Sequence, residues 1–379
     1  MELSCLGEHQ GKFTRVPDAL RVLIAGGGTG GHVIPALAIA RTLRDHHGAE
    51  VRMVGTARGL ETKLVPEAGF RLELVHVGQL KNVSLATRLR TAFDLPRGIF
   101  RCISLLREFR PHVVIGVGGY ASGPAMLAAF LLRIPMMAYE PNAAPGLANR
   151  LIGKHVDAAA VNFAQTQSFF RNAEVTGVPV REAFFSLPER VSDGSQHLLV
   201  FGGSMGARAL NQAMPRVASA LLNALPRLTI LHQAGAKHLE TTQAAYAASG
   251  ADPTRWQVQA FLDDMPGRFA DADLILCRSG SSVAELAAAG KPSLLVPFPF
   301  AADDHQHKNA LIFAQAEAAV LLPESELTDD RLIREVTSLL GDPERLREMG
   351  ARARTLAHPD ALQRIANMAV RLSGRHIAG

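Results

Sequence analysis

The sequence predicts an α/β protein with two domains, each built around its own parallel sheet. Short β-branched runs alternate with helix-length segments, which is typical of a parallel sheet covered by helices on both faces. A strand-like run leads through a glycine loop into a helical pattern twice, at 23–32 and again at 197–208. The length of 379 residues and the hydrophobic content of 47% are enough for two cores. We therefore predict two Rossmann-like domains whose parallel sheets face a central cleft.

Each predicted strand is a short apolar or β-branched run that glycine, proline or charged positions interrupt. In the first half, the predicted strands are 21–25, 51–55, 72–77, 113–117, 135–138 and 158–161. In the second half, one strand begins at His197 and the others are 228–231, 274–277 and 293–296. A ligand is expected in the cleft, where the carboxyl ends of both sheets meet.

The domain boundaries follow from where this pattern begins, restarts and ends. Residues 1–19 lack the apolar region of a secretory signal and are predicted to be a loose extension. The N-terminal domain is predicted at 20–178 and the C-terminal domain at 179–355, hinged at the GVPVR segment, 177–181. Residues 356–379 are predicted to form a C-terminal helix that packs back on the N-terminal domain.

The first glycine loop favours an anionic ligand, because its amides and the following helix start carry positive partial charge. Gly26, Gly28 and Gly31 also fit the spacing of a dinucleotide fingerprint. However, the next strand ends in Gly55 and Thr56, and neither can bind a ribose hydroxyl as an acid would. The sequence therefore disfavours a dehydrogenase.

Composition narrows the class of partner. The net charge of +5 favours anionic partners, but charged residues make up only 20% of the chain and form no basic tail. Anionic small molecules or lipids are therefore favoured over nucleic acid. The scattered Cys5, Cys102 and Cys277 indicate neither a metal site nor a disulfide framework. The acidic pair in 271–273 precedes a buried strand and indicates a turn, so we expect no metal and no cofactor.

Four motifs follow one another along the chain. They are GTGGH at 28–32, GGYASGP at 118–124, GGSMGAR at 202–208, and RSG at 278–280 with AEL at 284–286. Together they resemble the MurG family of bacterial glycosyltransferases, from about residue 20 to the C-terminus. This resemblance implies the glycosyltransferase-B fold.

The resemblance also implies an activity. It is an inverting, metal-independent transfer of N-acetylglucosamine from UDP-N-acetylglucosamine to the 4-hydroxyl of undecaprenyl-pyrophosphoryl-N-acetylmuramyl-pentapeptide. Such an enzyme serves peptidoglycan synthesis, and with it cell shape and division, as a peripheral protein on the cytoplasmic face of the inner membrane. A UDP-sugar 2-epimerase of the same fold and a non-catalytic binder of UDP-sugar or lipid pyrophosphate remain the alternatives.

The resemblance places His32 at the catalytic centre. A helix start disfavours a protonated imidazole, so a neutral His32 can accept the proton of the attacking hydroxyl. The alternative is a structural N-terminal cap. Thr29, Gly30 and Gly31 are interpreted as a ligand loop, although such glycines can simply permit tight helix packing.

The donor is expected at the C-terminal domain. Ser204 can hold the diphosphate or serve as an N-cap, and the resemblance favours the diphosphate. By the same resemblance Arg181 contacts the nucleotide and Glu285 accepts both ribose hydroxyls, where the alternatives are a solvated arginine and a surface glutamate. The uracil is expected at main-chain groups near Leu262.

Three polar residues are expected to contact the sugars. His305 and Gln306 match positions that hold sugar hydroxyls, with a solvated helix start as the alternative. Asn142 is expected to contact donor or acceptor sugar, and the segment 140–142 to face the cleft. The chain departs from the family pattern at Pro141, where glutamine is usual, and in the 278–285 loop, which is one residue shorter.

Residues 80–110 mix an apolar stripe with a basic one. The stripes are Leu80, Val83, Leu85, Leu89, Phe93, Ile99 and Phe100, and Lys81, Arg88, Arg90, Arg97 and Arg101. This pattern fits either a helix packed on its own domain or an anionic membrane surface. The resemblance, with its lipid-linked acceptor, favours the membrane.

Overall fold

The computed structural model describes residues 19–57, 59–76, 85–188, 190 and 193–374, with backbone only for 85–94. Nearly all of the predicted N-terminal extension therefore lies outside the described residues.

The N-terminal domain is a seven-stranded parallel sheet in the order β3-β2-β1-β4-β5-β6-β7. Its strands are β1 Arg21–Ala25, β2 Glu50–Gly55, β3 Arg71–Leu74, β4 Val113–Gly116, β5 Met136–Glu140, β6 Ala158–Val161 and β7 Ala173–Val175. Its helices are α1 Gly30–His47, α2 Glu61–Glu67, α3 Leu85–Phe109, α4 Ser122–Leu131 and α5 Leu147–Ile152. The strand order reverses between β1 and β4, so the loops after these strands border the crevice where such sheets bind ligands.

The C-terminal domain repeats the design with six parallel strands in the order β10-β9-β8-β11-β12-β13. Its strands are β8 Gln196–Phe201, β9 Leu228–Gln233, β10 Trp256–Gln259, β11 Leu274–Cys277, β12 Ser293–Leu295 and β13 Ala319–Leu321. The helices of this half are α6 Arg208–Ala224, α7 Leu239–Ala247, α8 Met265–Asp271, α9 Ser282–Ala289, α10 His305–Gln315, α11 Asp329–Leu340, α12 Pro343–Thr355 and α13 Ala361–Leu372. Short 3-10 turns lie at Ala164–Phe169, Glu182–Phe184, Ala236–His238, Ala302–Asp304 and Glu324–Glu326.

Both sheets are buried on both faces. Two apolar clusters sandwich the N-terminal sheet and two more sandwich the C-terminal sheet. In the central strands β4 and β11 every residue is buried, which explains their continuous apolar sequences. The predicted pair of α/β domains with parallel sheets is confirmed.

The strand predictions differ from the structure mainly at the sheet edges. The strands β7, β10 and β13 were not predicted, and all three are edge strands of three or four residues. Such short segments are extended because they pair with a neighbour, and their own sequence carries little signal. The strand predicted at 135–138 is β5, which runs on to Glu140, while the one predicted at 72–77 ends at Leu74.

The last helix returns to the first domain. In α13 the side chains of Ile365 and Met368 are buried in the same apolar cluster as β1 and α1. The chain therefore crosses between the domains twice, once near Gly177 and once near His358. These two residues meet, because a Cβ at Gly177 would overlap the His358 ring.

Of the helices in the described part of the chain, none combines the length and the apolar character that spanning a membrane requires.

Candidate active site

The first glycine loop joins β1 to α1 at the cleft. The helix begins at Gly30, and Thr29 is its N-cap with extended backbone angles. His32 is therefore the third residue of the helix, and the cap alternative for its side chain is wrong. The Thr29 hydroxyl oxygen lies 3.3 Å from Nδ1 of His32.

The surroundings of His32 favour a neutral imidazole. Burial lowers the pKa of His32, the neighbouring His305 lowers it further, and the Gly27 carbonyl and Glu61 oppose this shift. A Cβ at Gly118 would lie 3.0 Å from Nε2 of His32, so the imidazole packs against the glycine loop after β4. His32 thus belongs to the N-terminal domain, but its pKa also depends on His305, the first residue of α10 in the C-terminal domain.

The structure places a carboxylate of the protein itself at the first glycine loop, where we expected an anionic ligand. Glu61 is 1% exposed, and its Oε2 accepts a hydrogen bond of 2.7 Å from the Gly28 amide. Its Oε1 accepts bonds from the amide and the hydroxyl of Thr56, both at 2.9 Å. Sequence reasoning missed this residue, and the only signal was an acid at the first position of a helix shortly after β2.

A second buried acid shapes the loop after β5. Glu140 is 3% exposed, and its carboxylate accepts hydrogen bonds from Asn142, Gly146 and Asn149. Burial raises the pKa of Glu140, and these hydrogen bonds offset part of the rise. The Glu140 oxygens thus hold the loop that carries Asn142, and the orientation of the 140–142 segment toward the cleft stays a prediction.

The two domains are joined in the cleft by Asn309 of α10. Its Oδ1 accepts a bond of 2.9 Å from the Ala143 amide, and its Nδ2 donates to Asn142 Oδ1 and to the Ser279 carbonyl. Sequence reasoning missed Asn309, although it lies one turn after Gln306. An exposed ion pair of 3.2 Å between Arg150 and Asp303 also crosses the cleft.

The second glycine loop connects β8 to α6. Ser204 is exposed and lies four residues before the helix, whose N-cap is Ala207, so the cap alternative for Ser204 is wrong. The buried Gln233 donates to the Gly203 carbonyl and accepts a bond of 2.8 Å from the Leu262 amide. Gln233 thus links the loop to the turn where we expected uracil, and the Leu262 amide is already engaged within the protein.

Glu285 lies in α9, and Arg181 of the 177–181 segment faces it. Burial raises the pKa of Glu285 to about 7, and the positive charge of Arg181 opposes the shift. Among the described residues no hydrogen-bond donor reaches the Glu285 carboxylate. Glu285 is half-buried, whereas a surface glutamate, the alternative from sequence, would be exposed. Arg181 itself lies over the ring of Phe184 at 5.0 Å from its centre.

The sugar-binding candidates at the start of α10 are held by the adjacent loops. His305 Nδ1 lies 2.7 Å from the Ala302 carbonyl, and the Gln306 side-chain oxygen accepts from the Phe298 amide at 2.9 Å. The Gln306 carbonyl accepts from the Ser279 hydroxyl at 2.8 Å. The shortened 278–285 loop is therefore joined directly to α10.

The acidic pair at 271–273 lies away from the cleft. Asp273 precedes β11 at its amino end, where it accepts from the His197 amide and pairs with Arg190. Among the residues that the structure describes, no group of histidines, cysteines and acids is placed to hold a metal ion.

Comparisons with known proteins cover both domains. The model of the glycosyltransferase family 28 N-terminal domain matches residues 22–161, and that of the C-terminal domain matches residues 197–365. A protein of Solibacter usitatus is 44% identical over 92% of this chain and 95% of its own length, and one of Myxococcus xanthus is 40% identical over 93% of both. Both are named UDP-N-acetylglucosamine–N-acetylmuramyl-(pentapeptide) pyrophosphoryl-undecaprenol N-acetylglucosamine transferase.

Solved structures agree with this similarity. The crystal structure of Acinetobacter baumannii MurG matches with a TM-score of 0.77 and 31% identity, over 93% of this chain and 99% of that one. A putative UDP-N-acetylglucosamine 2-epimerase from Listeria monocytogenes matches with a TM-score of 0.68 over 95% and 98% of the two chains, but at 15% identity it shows the fold alone.

The raised pKa of Glu285 predicts a pH-dependent stability change on replacement by glutamine. Below about pH 4.5 the carboxyl is protonated in both folded and unfolded chains. Between about pH 4.5 and 7 the unfolded chain loses a proton that the folded chain keeps, so the free energy of unfolding falls as pH rises through this window and levels off above about pH 7. Relative to wild type, Glu285→Gln should therefore gain on the order of 1–2 kcal/mol of unfolding free energy between pH 5 and pH 8, after allowance for partial solvent screening. Denaturant unfolding at both pH values measures this gain.

The matched control is Glu240→Gln, an exposed acid in the first turn of α7. Its stability difference from wild type should be the same at pH 5 and pH 8. If the stability difference from wild type changed with pH by the same amount in both variants, the raised pKa of Glu285 would be contradicted.

Proposed function

The chain belongs to glycosyltransferase family 28, and we propose that it transfers N-acetylglucosamine from UDP-N-acetylglucosamine to N-acetylmuramyl-(pentapeptide) pyrophosphoryl-undecaprenol. The enzyme converts lipid I into lipid II in peptidoglycan synthesis. The observation that carries this conclusion is the identity of 40–44%, along nearly the whole chain, with relatives named for this activity. The epimerase alternative is not favoured, because that similarity is limited to the fold.

The donor nucleotide is proposed to lie along the C-terminal domain. Glu285 accepts the two ribose hydroxyls, and because no donor within the described part of the chain bonds to it, both carboxylate oxygens remain for this purpose. Arg181 keeps part of the Glu285 population ionised and faces the nucleotide. The uracil lies against the turn at Leu262, where the carbonyl remains for contact because the amide bonds to Gln233.

The leaving diphosphate is proposed to rest on the second glycine loop. The exposed Ser204 hydroxyl, the amides before α6 and the start of that helix all present positive partial charge to the proposed diphosphate position. These groups stabilise the negative charge that develops on UDP, so the transfer proceeds without a metal ion. His305 and Gln306 hold the sugar hydroxyls in the same cleft.

The acceptor is proposed to approach from the N-terminal domain. Thr29, Gly30 and Gly31 shape its side of the cleft, and Asn142, held by Glu140 and Asn309, contacts a sugar. The acceptor 4-hydroxyl attacks the anomeric carbon and gives its proton to the neutral His32. The bond from that carbon to the diphosphate breaks on the opposite face, and its electron pair leaves with UDP, which inverts the anomeric centre.

The membrane contact is proposed on the outer helices of the N-terminal domain, at the cytoplasmic face of the inner membrane. Most of the predicted stripe at 80–101 lies outside the described side chains. In the described part, Phe100 of α3, Phe130 and Leu131 of α4, and Leu151 of α5 are exposed by 45% to 71%. Because α4 packs against both α3 and α5, these apolar side chains lie on neighbouring helices. An anionic surface suits the basic residues of the same region, such as Lys154.

The transfer reaction is tested by incubating the purified protein with labelled UDP-N-acetylglucosamine and the lipid-linked acceptor. We expect the label to move into the lipid extract only when the acceptor is present. Release of an epimerised sugar nucleotide without acceptor would indicate the epimerase, and retention of the donor without turnover would indicate a binder.

Replacement of His32 separates catalysis from donor binding. His32→Ala should lower kcat by about a hundredfold or more and leave the donor KM near that of wild type, because a base acts on the transition state. Glu285→Ala is the comparison variant and should instead raise the donor KM. If His32→Ala loses donor binding in parallel with turnover, His32 is a binding residue and the base lies elsewhere.

Polar replacement of the exposed apolar side chains tests the membrane contact. The triple variant Phe130→Ser, Leu131→Ser and Leu151→Ser should bind anionic vesicles at least tenfold more weakly, since each partly buried side chain contributes about 1 kcal/mol. Sedimentation with vesicles measures binding, and high salt should weaken binding of the wild type by screening its electrostatic part. Leu311→Ser, an exposed position on α10, is the control and should bind like wild type. Unchanged binding of the triple variant would place the contact on another surface.

A further inference from the structure

The carboxylate of Glu61 joins three separate segments of the N-terminal domain. It begins α2, bonds to Gly28 in the loop after β1, and bonds to Thr56 at the end of β2. The Leu60 amide adds a longer contact of 3.4 Å to the Gly28 carbonyl. A carboxylate with this degree of burial is stable only when such donors satisfy it.

The space around Glu61 is provided by glycines from the same segments. A Cβ at Gly27, Gly55 or Gly59 would overlap the Glu61 side chain. These glycines therefore leave room for the carboxylate at the base of the loop. The Gly28 and Thr56 amides, from two separate segments, thus converge on this carboxylate as backbone amides elsewhere converge on a bound anion.

The charge of Glu61 is retained in spite of its burial. Burial acts to raise the pKa of Glu61, but the hydrogen bonds from Gly28 and Thr56 outweigh it and lower the pKa below its ordinary value. Glu61 is therefore ionised at neutral pH, and the Gly28 amide that bonds to it is not available to a phosphate of the substrate.

We propose that Glu61 is a positioning residue of the transfer reaction: its carboxylate binds the Gly28 amide of the first glycine loop and holds Thr29 and His32 in place at the cleft. This inference rests on the proposed function, in which His32 accepts the proton. Glu61 touches neither substrate in this arrangement and acts through the loop.

The same charge acts on His32. In the described part of the chain, the titratable groups that influence the His32 pKa are His305 from α10, which lowers it, and Glu61 from α2, which raises it. Removal of the Glu61 charge should therefore lower the His32 pKa further. Because a protonated His32 cannot act as the base, the acid limb of the pH–rate profile should move to lower pH.

The test is Glu61→Gln, which keeps the shape and removes the charge. We expect kcat to fall about 10- to 100-fold, the donor KM to stay within about twofold of wild type, and the acid limb to shift to lower pH. Glu67→Gln makes the same chemical change at the exposed end of α2 and should match wild type in all three measurements.

Two results with Glu61→Gln would overturn the inference. Wild-type kcat and pH profile would show that the carboxylate does not position the site. A loss of activity with an unmoved acid limb would show that it only supports the fold. A wild-type protein that transfers no sugar would overturn the proposed function itself, and this inference with it.

If Glu61→Gln does not fold, Glu61→Asp tests the positioning role instead. The shorter acid keeps the charge but cannot reach Gly28 and Thr56 together, so kcat should fall while the acid limb stays in place. An unchanged kcat, or a shifted limb, would contradict the assigned role.

Discussion

Asn309 reaches from the C-terminal domain into the backbone of the N-terminal domain, and its bond to the buried Ala143 amide holds the two halves of the cleft together. A buried amide without its acceptor would cost about 1–3 kcal/mol, so this contact favours one relative placement of the two sheets. The same side chain contacts Asn142 on one side and Ser279 on the other. The distance between the acceptor side and the donor side of the site therefore depends in part on the Asn309 side chain, beside the Arg150–Asp303 ion pair.

Three buried or half-buried acids in the protein differ in how their charge is satisfied. Glu61 has enough internal donors for its pKa to fall, whereas Glu140 has several donors but burial still raises its pKa. Glu285 has only the charge of Arg181, and its pKa rises to about 7. An acid kept in that state lowers stability at neutral pH, which is typical of a group whose partner is a ligand. The first two acids shape loops, and the third is the one that we propose binds the ribose hydroxyls.

The two glycine loops look alike in sequence but have different electrostatic environments. The first already holds the carboxylate of Glu61, while the second exposes Ser204 in front of α6. This asymmetry supports a division of labour in which one loop positions a base and the other receives the negative charge of the leaving group. Gln233 links the second loop to the turn at Leu262. The proposed diphosphate contacts and the proposed uracil contacts therefore lie on connected segments.

The sequence by itself determined the local features: both parallel sheets, both glycine loops, the helix with Glu285 and the order of the family motifs. These depend on residues close together in the chain, so a short window contains the whole signal. Only the tertiary structure decided the partners of Glu61, Gln233 and Asn309, which lie 33, 29 and 166 residues from Gly28, Leu262 and Ala143. It also decided the three edge strands β7, β10 and β13, whose own sequences carry little signal. The physical reason is that a buried polar side chain is positioned by whichever distant donor or acceptor the fold brings to it. The local sequence contains no information about that long-range contact.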